Sequence, residues 1–528
     1  MAKRNKTLHP DAPLLHQDHP RPVTRRDFLR QGFISGTGVV AGGSIFNLLA
    51  GSRAAQAAIS TDLQTLAGNL TNGCTLTGGA GGMPFICFDL AGGANLAGSN
   101  VLVGQNTQLD TLSTAGYSKL GLPGDRIPGG VETTPNASGT SLGDFTDRTL
   151  GLIFHSESAM LQGILEKVDI VGTAPNINGV VIPARSENDT GNNPHNPMYR
   201  IANTGRDGSV VTLIGSRNSD SGGNSMAPAA FLDPELRPTK VDRPSDVAGM
   251  VDTGNLTAIL NDPKDVTAVM ESIARHSDSK MGLVNTQLTT DAVVRDLVRC
   301  GYIRAAHIAE QFAGKDIDPS RDTDIVGPSG IFTQAEFDGD REFRKTASVM
   351  KMVIDGLPDS YAGSGTISMG GYDYHTGDRR VGEARDLRAG RCIGACLEYA
   401  KLRGRPLMIY VFSDGSVASN GMVDNSQPTG PDDPGGQGKL VWTGDNSSTA
   451  ASFILVYNPN GTVPVVRDQI GWFRADGSVE TSSSPAANNV NLLVETVMLN
   501  YLALQGREGE YTGPLGSNIA NLIAFGQI

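Results

Sequence analysis

Gly370-Gly371-Tyr372-Asp373-Tyr374-His375 and, further along, Leu407-Met408-Ile409-Tyr410-Val411-Phe412-Ser413-Asp414-Gly415 decide how this chain is read. Each segment reads as an apolar run that ends in a carboxylate, and the residues from about Glu383 to Arg403 between them carry a helical pattern. The result is a strand, helix, strand unit with polar groups at the carboxyl ends of its strands, the edge where open α/β sheets bind ligands and metals. The expected fold class is therefore α/β, a central mostly parallel sheet flanked by helices and interrupted by long Gly/Asn/Ser-rich loops.

Upstream, Met83 to Leu90 reads as a first buried strand that contains Asp89 and breaks into Ala91-Gly92-Gly93-Ala94-Asn95. Asp89 serves there either as a ligand or as a cap for the following turn. Ser209 to Gly215 reads as a further strand running into the polar loop Asn218 to Ser225, and the same pattern of apolar run followed by Gly-rich polar loop recurs. Helices are expected over about Val266–His276, Thr289–Gly314, Phe332–Leu357, Glu383–Arg403 and Asn488–Leu504, because apolar residues recur there at three and four positions. His155 to Lys167 carries a shorter one. Leu440 to Asn446 and Ala451 to Tyr457 form either a hairpin or two sheet strands, and Gly415 to Gly438 reads as a loop that does not complete a calcium-loop pattern.

The segment Arg185 to Pro197 gathers Glu187, Asp189, four Asn and His195. Such an oxygen-rich loop suits a hard cation or polar substrate, or else uses its Asx side chains to cap its own backbone. His155, His276 and His307 fall in or beside helices, where packing or surface roles are usual.

Thr24-Arg25-Arg26-Asp27-Phe28-Leu29-Arg30, a weakly apolar Gly-rich stretch and Ala55-Gln56-Ala57 have the layout of a twin-arginine export signal over residues 1–57. The remainder, 58–528, is expected to be one large domain in the periplasm or outside the cell, with no integral membrane span. Loss of residues 1–57 takes the net charge from −12 to −17 and leaves five His. That acidity disfavours nucleic acid as a partner and is compatible with bound cations. Of the five cysteines, Cys74 and Cys87 flank a Gly-rich turn and could pair, whereas Cys392 and Cys396 lie four apart on a helix and are read as buried thiols. No phosphate-binding Walker loop or CxxC pair is present, and Gly92-Gly93 and Gly222-Gly223 lack dinucleotide spacing, so no nucleotide cofactor is expected.

The order of features resembles the exported bacterial family known as domain of unknown function fifteen-oh-one, related to the alkaline phosphatase and sulfatase superfamily. The residues that carry the resemblance are the twin-arginine signal, the strand and Gly-rich loop Phe85 to Asn95, the Ser-Glu-Asn-Asp loop, Gly371 to His375 and Phe412 to Gly415. It implies an alkaline-phosphatase-like sheet, paired divalent metals held by Asp and His at strand ends, and hydrolysis of a phosphate or sulfate ester. By position the matching ligands are Asp89, Asp373, His375, Asp414 and, in Gly444-Asp445-Asn446, Asp445. The family's Glu and Arg after the second motif are replaced by Asp414-Gly415-Ser416, the late histidine is Asn446, and no nucleophile stands out. With so few His, the implied metal is Ca²⁺, Mg²⁺ or Mn²⁺ rather than Zn²⁺. The alternative implied by the same resemblance is a catalytically degenerate envelope or secretion-associated protein with a protein partner in place of a small anionic ester.

Overall fold

The computed structural model describes residues 59–528 apart from 71–73, 75–80, 134–142, 187–192, 253–259, 261, 286, 288–289, 313–314, 357–359, 376, 378 and 517–518. Residues 1–57, expected from the sequence to be an export signal, Glu187 and Asp189 lie outside the described residues. Eleven strands are present among those described: β1 Phe85–Ala91, β2 Thr146–Leu150, β3 Leu152–His155, β4 Ile177–Pro183, β5 Val211–Gly215, β6 Thr239–Lys240, β7 Ala362–Gly370, β8 Leu407–Phe412, β9 Val417–Val423, β10 Leu440–Asp445 and β11 Ala451–Tyr457.

Seven of them make the central sheet in the order β4-β11-β8-β1-β7-β5-β6. β1 lies parallel to both β7 and β8, β5 lies parallel to β7 and β6, and β11 runs antiparallel to β8 and β4. The protein is thus α/β with a mostly parallel sheet. Its strands are buried on both faces, which is why β1, β8 and β11 read as unbroken apolar runs instead of alternating. Successive side chains nevertheless divide between two cores. Ile86, Phe88, Ile409 and Val411 face the layer containing the helices Ala159–Lys167, Arg341–Ile354 and Arg379–Leu402. Phe85, Cys87, Met408 and Tyr410 face the helix Val490–Ala503 and the C-terminal segment. Among the described residues no helix is long and apolar enough to cross a membrane.

Several boundaries differ from expectation for identifiable reasons. The helix expected over Phe332–Leu357 is two, Gln334–Gly339 and Arg341–Ile354, because Asp340 turns extended and its carboxylate accepts the Glu342 N–H at 2.7 Å as the second helix's cap. The helix expected from Glu383 begins at Arg379, whose guanidinium pairs one turn on with Glu383 at 2.6 Å. The run Gly415–Gly438 is not all loop, since β9 lies in it and pairs with β10 in a separate two-stranded sheet. β10 and β11 accordingly belong to different sheets and form no hairpin. β4 went unread from the sequence.

Cys74 pairs with Cys300, not with Cys87. Cys87 is fully buried on β1, in the core layer against Met408 and Tyr410, and cannot turn out toward the preceding loop. The disulfide ties the region after the first described helix, Thr61–Asn69, to the helix Asp291–Phe312. Cys392 and Cys396 are buried free thiols, as their spacing suggested.

Candidate functional site

The carboxyl ends of β1, β7 and β8 stand side by side, with Ala91 in register with Gly370 and Asp89 with Phe412. Three of the chain's carboxylates converge there from different strands because parallel pairing forces their ends to one edge. The backbones interlock at Gly92, which has φ +127°. A methyl group on it would lie 2.4 Å from the Asp373 nitrogen, so only glycine permits the approach. The Tyr372 N–H closes the same junction on the Ala91 carbonyl at 3.1 Å.

Asp414 is the most constrained of the three. Its Oδ1 accepts the Gly92 N–H at 2.7 Å, and its Oδ2 is buried with no hydrogen-bond partner among the described residues. Burial, the charges of Asp89 and Asp373, and only partial relief from the Gly92 N–H push its carboxyl up from 3.8 to about 6. Asp89, also fully buried, is raised by desolvation, although Oδ2 accepts the N–H groups of Asn224 (2.6 Å) and Ser225 (3.0 Å) and Oδ1 accepts the Ser225 hydroxyl (2.8 Å). Those bonds give Asp89 its own set of donors from the loop after β5.

Asp373, His375 and Asp445 form the outer part. Their ligand atoms all lie within 4.8 Å of one another, making a group able to hold a metal ion. His375 Nε2 stands 2.6 Å from Asp373 Oδ1, and Nδ1 stands 3.9 Å from Asp445 Oδ1. Asp445 arrives through β10, whose last residue is in register with Val417 of β9. Thus the five residues singled out in the sequence occupy two adjoining levels: an exposed group of Asp373, His375 and Asp445, and the buried Asp89 and Asp414 beneath.

The alternation in Tyr372-Asp373-Tyr374-His375 explains how the outer group is presented. Tyr372 and Tyr374 turn inward and are buried, while Asp373 and His375 turn outward. The Tyr372 hydroxyl donates to the Arg385 carbonyl at 2.9 Å, and the Tyr374 hydroxyl accepts the Asn95 N–H at 3.1 Å. Tyr374 also packs on Trp442 of β10 (centroids 6.4 Å apart), over which the buried Arg379 guanidinium lies at 4.4 Å. Loop and strand are therefore held by one buried stack. The period-two pattern of the two tyrosines was the available signal for this anchor, and Trp442 had none.

Other expected candidates take lesser places. From the oxygen-rich loop, Asn193 donates to the Asp414 carbonyl at 2.7 Å and the Ser186 hydroxyl meets His195 Nε2 at 3.1 Å. Burial lowers His195 to about 4 and keeps it neutral. His155 and His307 are buried and likewise lowered, to about 3 and about 4, mainly by desolvation. Ser413 is committed to structure, its hydroxyl donating to the Leu90 carbonyl at 2.6 Å and accepting from Ala94 and Gly93. No family model matches the chain, and no curated protein and no solved structure matches it.

Proposed function

We propose that the chain is an exported, divalent-metal-dependent hydrolase of phosphate or sulfate esters with an alkaline-phosphatase-like arrangement of its sheet. The observation that carries this reading is the buried Oδ2 of Asp414 beneath Asp373, which has no hydrogen-bond partner among the described residues, in a site that collects five potential ligands and whose two buried carboxylates make no ion pair among the described residues. A bare carboxylate oxygen at that depth costs several kcal/mol unless protonated or matched by a cation. The donor set, carboxylate oxygens with a single imidazole, fits Ca²⁺, Mg²⁺ or Mn²⁺ better than Zn²⁺. Asp373, His375 and Asp445 would hold the ion, with Asp414 beneath as a further oxygen donor.

Such an ion supplies Lewis-acid polarisation of the ester oxygen and neutralises charge that would otherwise repel an anionic substrate. The protein's own residues orient it. Gly92 fixes Asp414 against the Asp373 loop, and the loop after β5 holds Asp89. Tyr374 and Trp442 set the separation between His375 and Asp445.

One observation favours the alternative, a non-catalytic envelope or secretion-associated protein. The Ser413 and Ser225 hydroxyls beside the carboxylates are both engaged, leaving neither as a ready nucleophile. The two readings separate on purified protein exported from a host with twin-arginine transport. Elemental analysis is expected to find a divalent metal, and aryl phosphates or aryl sulfates are expected to be hydrolysed by the wild type and not by Asp373→Ala. A metal-free chain, inert across both panels, would exclude the hydrolase.

A further inference from the structure

Asp386 is buried on the helix Arg379–Leu402 with little to hold its charge. Its Oδ2 accepts the Asn100 side-chain amide at 2.8 Å, whereas Oδ1 has no hydrogen-bond partner and the carboxylate no ion pair among the described residues. One turn back, Glu383 takes both neighbouring cations, with Arg379 Nη2 and Lys439 Nζ each 2.6 Å away and all three side chains buried. Two formal cations therefore share one acid, and an ionised Asp386 completes the balance of charge without pairing with either.

The Asn100 amide is fixed by three partners. Its oxygen accepts the Ser158 hydroxyl at 2.8 Å, and its nitrogen divides its hydrogens between Asp386 and the Asn95 carbonyl, 3.1 Å away. Asn95 in turn holds both arms of the outer group. Its N–H donates at 3.1 Å to the hydroxyl of Tyr374, the residue between Asp373 and His375, and its Nδ2 donates to the Val417 carbonyl at 2.8 Å. Val417 is the β9 residue in register with Asp445. A buried series of hydrogen bonds thus runs from Asp386 to the two segments that present Asp373, His375 and Asp445.

We infer that Asp386 is a positioning residue for the outer group and places it under proton control: when ionised, it tightens the binding of a divalent ion by Asp373, His375 and Asp445. An ionised acceptor makes a hydrogen bond roughly twice as strong as a neutral one. The charge on Asp386 therefore firms the Asn100 link and, through Asn95, the spacing of both arms. Coupling of this kind is reciprocal, so the bound ion also favours loss of the Asp386 proton. Burial and then the Glu383 charge raise that carboxyl from 3.8 to about 7, against the Asn100 bond and the charges of Arg379 and Lys439. Tyr372 and Tyr374 face it from the loop after β7, their phenols pushed well up by burial and next by Asp386 itself. His155, lowered by burial to about 3, stands by Lys439 and Arg379, and the Cys392 thiol, raised by burial to about 12, stands by Tyr372. This inference rests on the metal reading above and adds a regulation to it.

The test is Mn²⁺ titration of the purified exported protein at pH 6 and pH 8, wild type beside Asp386→Asn, which keeps the shape of the protonated carboxyl. At pH 6 the two are expected to bind alike, and at pH 8 wild type is expected to bind about tenfold tighter. Protons lost by the ligands themselves are common to both proteins and cancel in the comparison. The raised carboxyl contributes stability that is fully present below about pH 4 and lost as pH rises through about 7, so the variant should melt no lower than wild type at pH 8. Asn100→Ser, which cuts the series and leaves the carboxyl in place, should lose most of the tenfold and carries the test if Asp386→Asn does not fold. Equal affinities at pH 8, or a difference of one size at both pH values, would overturn the inference, the second making Asp386 structural only. Mn²⁺ uptake with either result spares the metal reading, whereas no Mn²⁺ uptake ends both. The expected pH dependence in a protein inert toward aryl phosphates and sulfates sustains the inference and removes the hydrolase.

Discussion

The two edges of the central sheet carry similar acids in opposite electrostatic conditions. At the amino edge, where β7 and β8 begin, Asp322 and Asp355 surround Lys351 at 2.8 and 2.6 Å, with Arg403 2.8 Å from Asp322 and the Tyr399 hydroxyl donating to both acids. Burial would raise Asp322, but Lys351, Tyr399 and Arg403 outweigh it and hold it at about 2. At the carboxyl edge, Asp89 and Asp414 are buried without any such cation, and both are raised. The same side chain is therefore a half-buried structural ion pair at one end and a fully buried carboxylate with no ion pair among the described residues at the other. Only the second calls for a ligand, because an unmatched buried carboxylate is costly to retain for stability alone.

The largest effect is expected where the charges are matched. Lys351→Met removes the ammonium shared by Asp322 and Asp355, leaves them to Arg403 and Tyr399, and should destabilise the fold by about 3 kcal/mol, the low end for a broken buried pair, read by urea denaturation, with no dependence on added divalent ion. A loss below about 1 kcal/mol would erase the contrast between the edges.

Next comes Asp414. Its folded pKa is raised, so in metal-free protein its contribution is most favourable when protonated and is lost as pH rises from about 4 through about 6. Asp322 runs the other way: its folded pKa is depressed, so its stabilisation is present above the unfolded value near 4 and fades as pH falls toward about 2. Chelated protein should thus lose stability between pH 4 and 7, by about 2–3 kcal/mol from Asp414. Asp414→Asn should flatten that slope, and melting temperature against pH in the two proteins is the measurement.

Divalent ion at one hundred times its dissociation constant should add about 2.7 kcal/mol to the wild type at pH 7.5, and much less to Asp414→Asn. Equal stabilisation of both would remove Asp414 from the site. The smallest stability change belongs to the exposed level. Asp445→Asn should alter folding stability by no more than about 0.5 kcal/mol while weakening Mn²⁺ binding about tenfold. A stability loss with unchanged binding would make Asp445 structural.

Much of this architecture was legible beforehand. β1, β8 and β11 announce themselves as apolar runs because parallel strands are covered on both faces, and Asp373 and Asp414 follow such strands closely enough to place them at one edge. What escaped was whatever depended on a distant partner. β9 is polar and half exposed, so nothing in its own residues distinguishes it from loop until β10 pairs with it. Cys74 lies near Cys87 in sequence, yet its partner is Cys300, because the strand buries Cys87 and the fold carries the helix Asp291–Phe312 back to the start of the described chain.

The sequence by itself determined the α/β class and the edge at which polar groups gather, and it put Asp89, Asp373, His375 and Asp414 near strand ends there, while Asp445 was a candidate only through the family resemblance. Periodicity and strand ends are local properties, carried by neighbouring residues. Only the tertiary structure decided that Asp414 is buried with an oxygen unpartnered among the described residues, and that Asp373, His375 and Asp445 form the outer group. Each of those facts depends on the distance between side chains far apart in the chain, and charge acts through that distance and the medium that fills it.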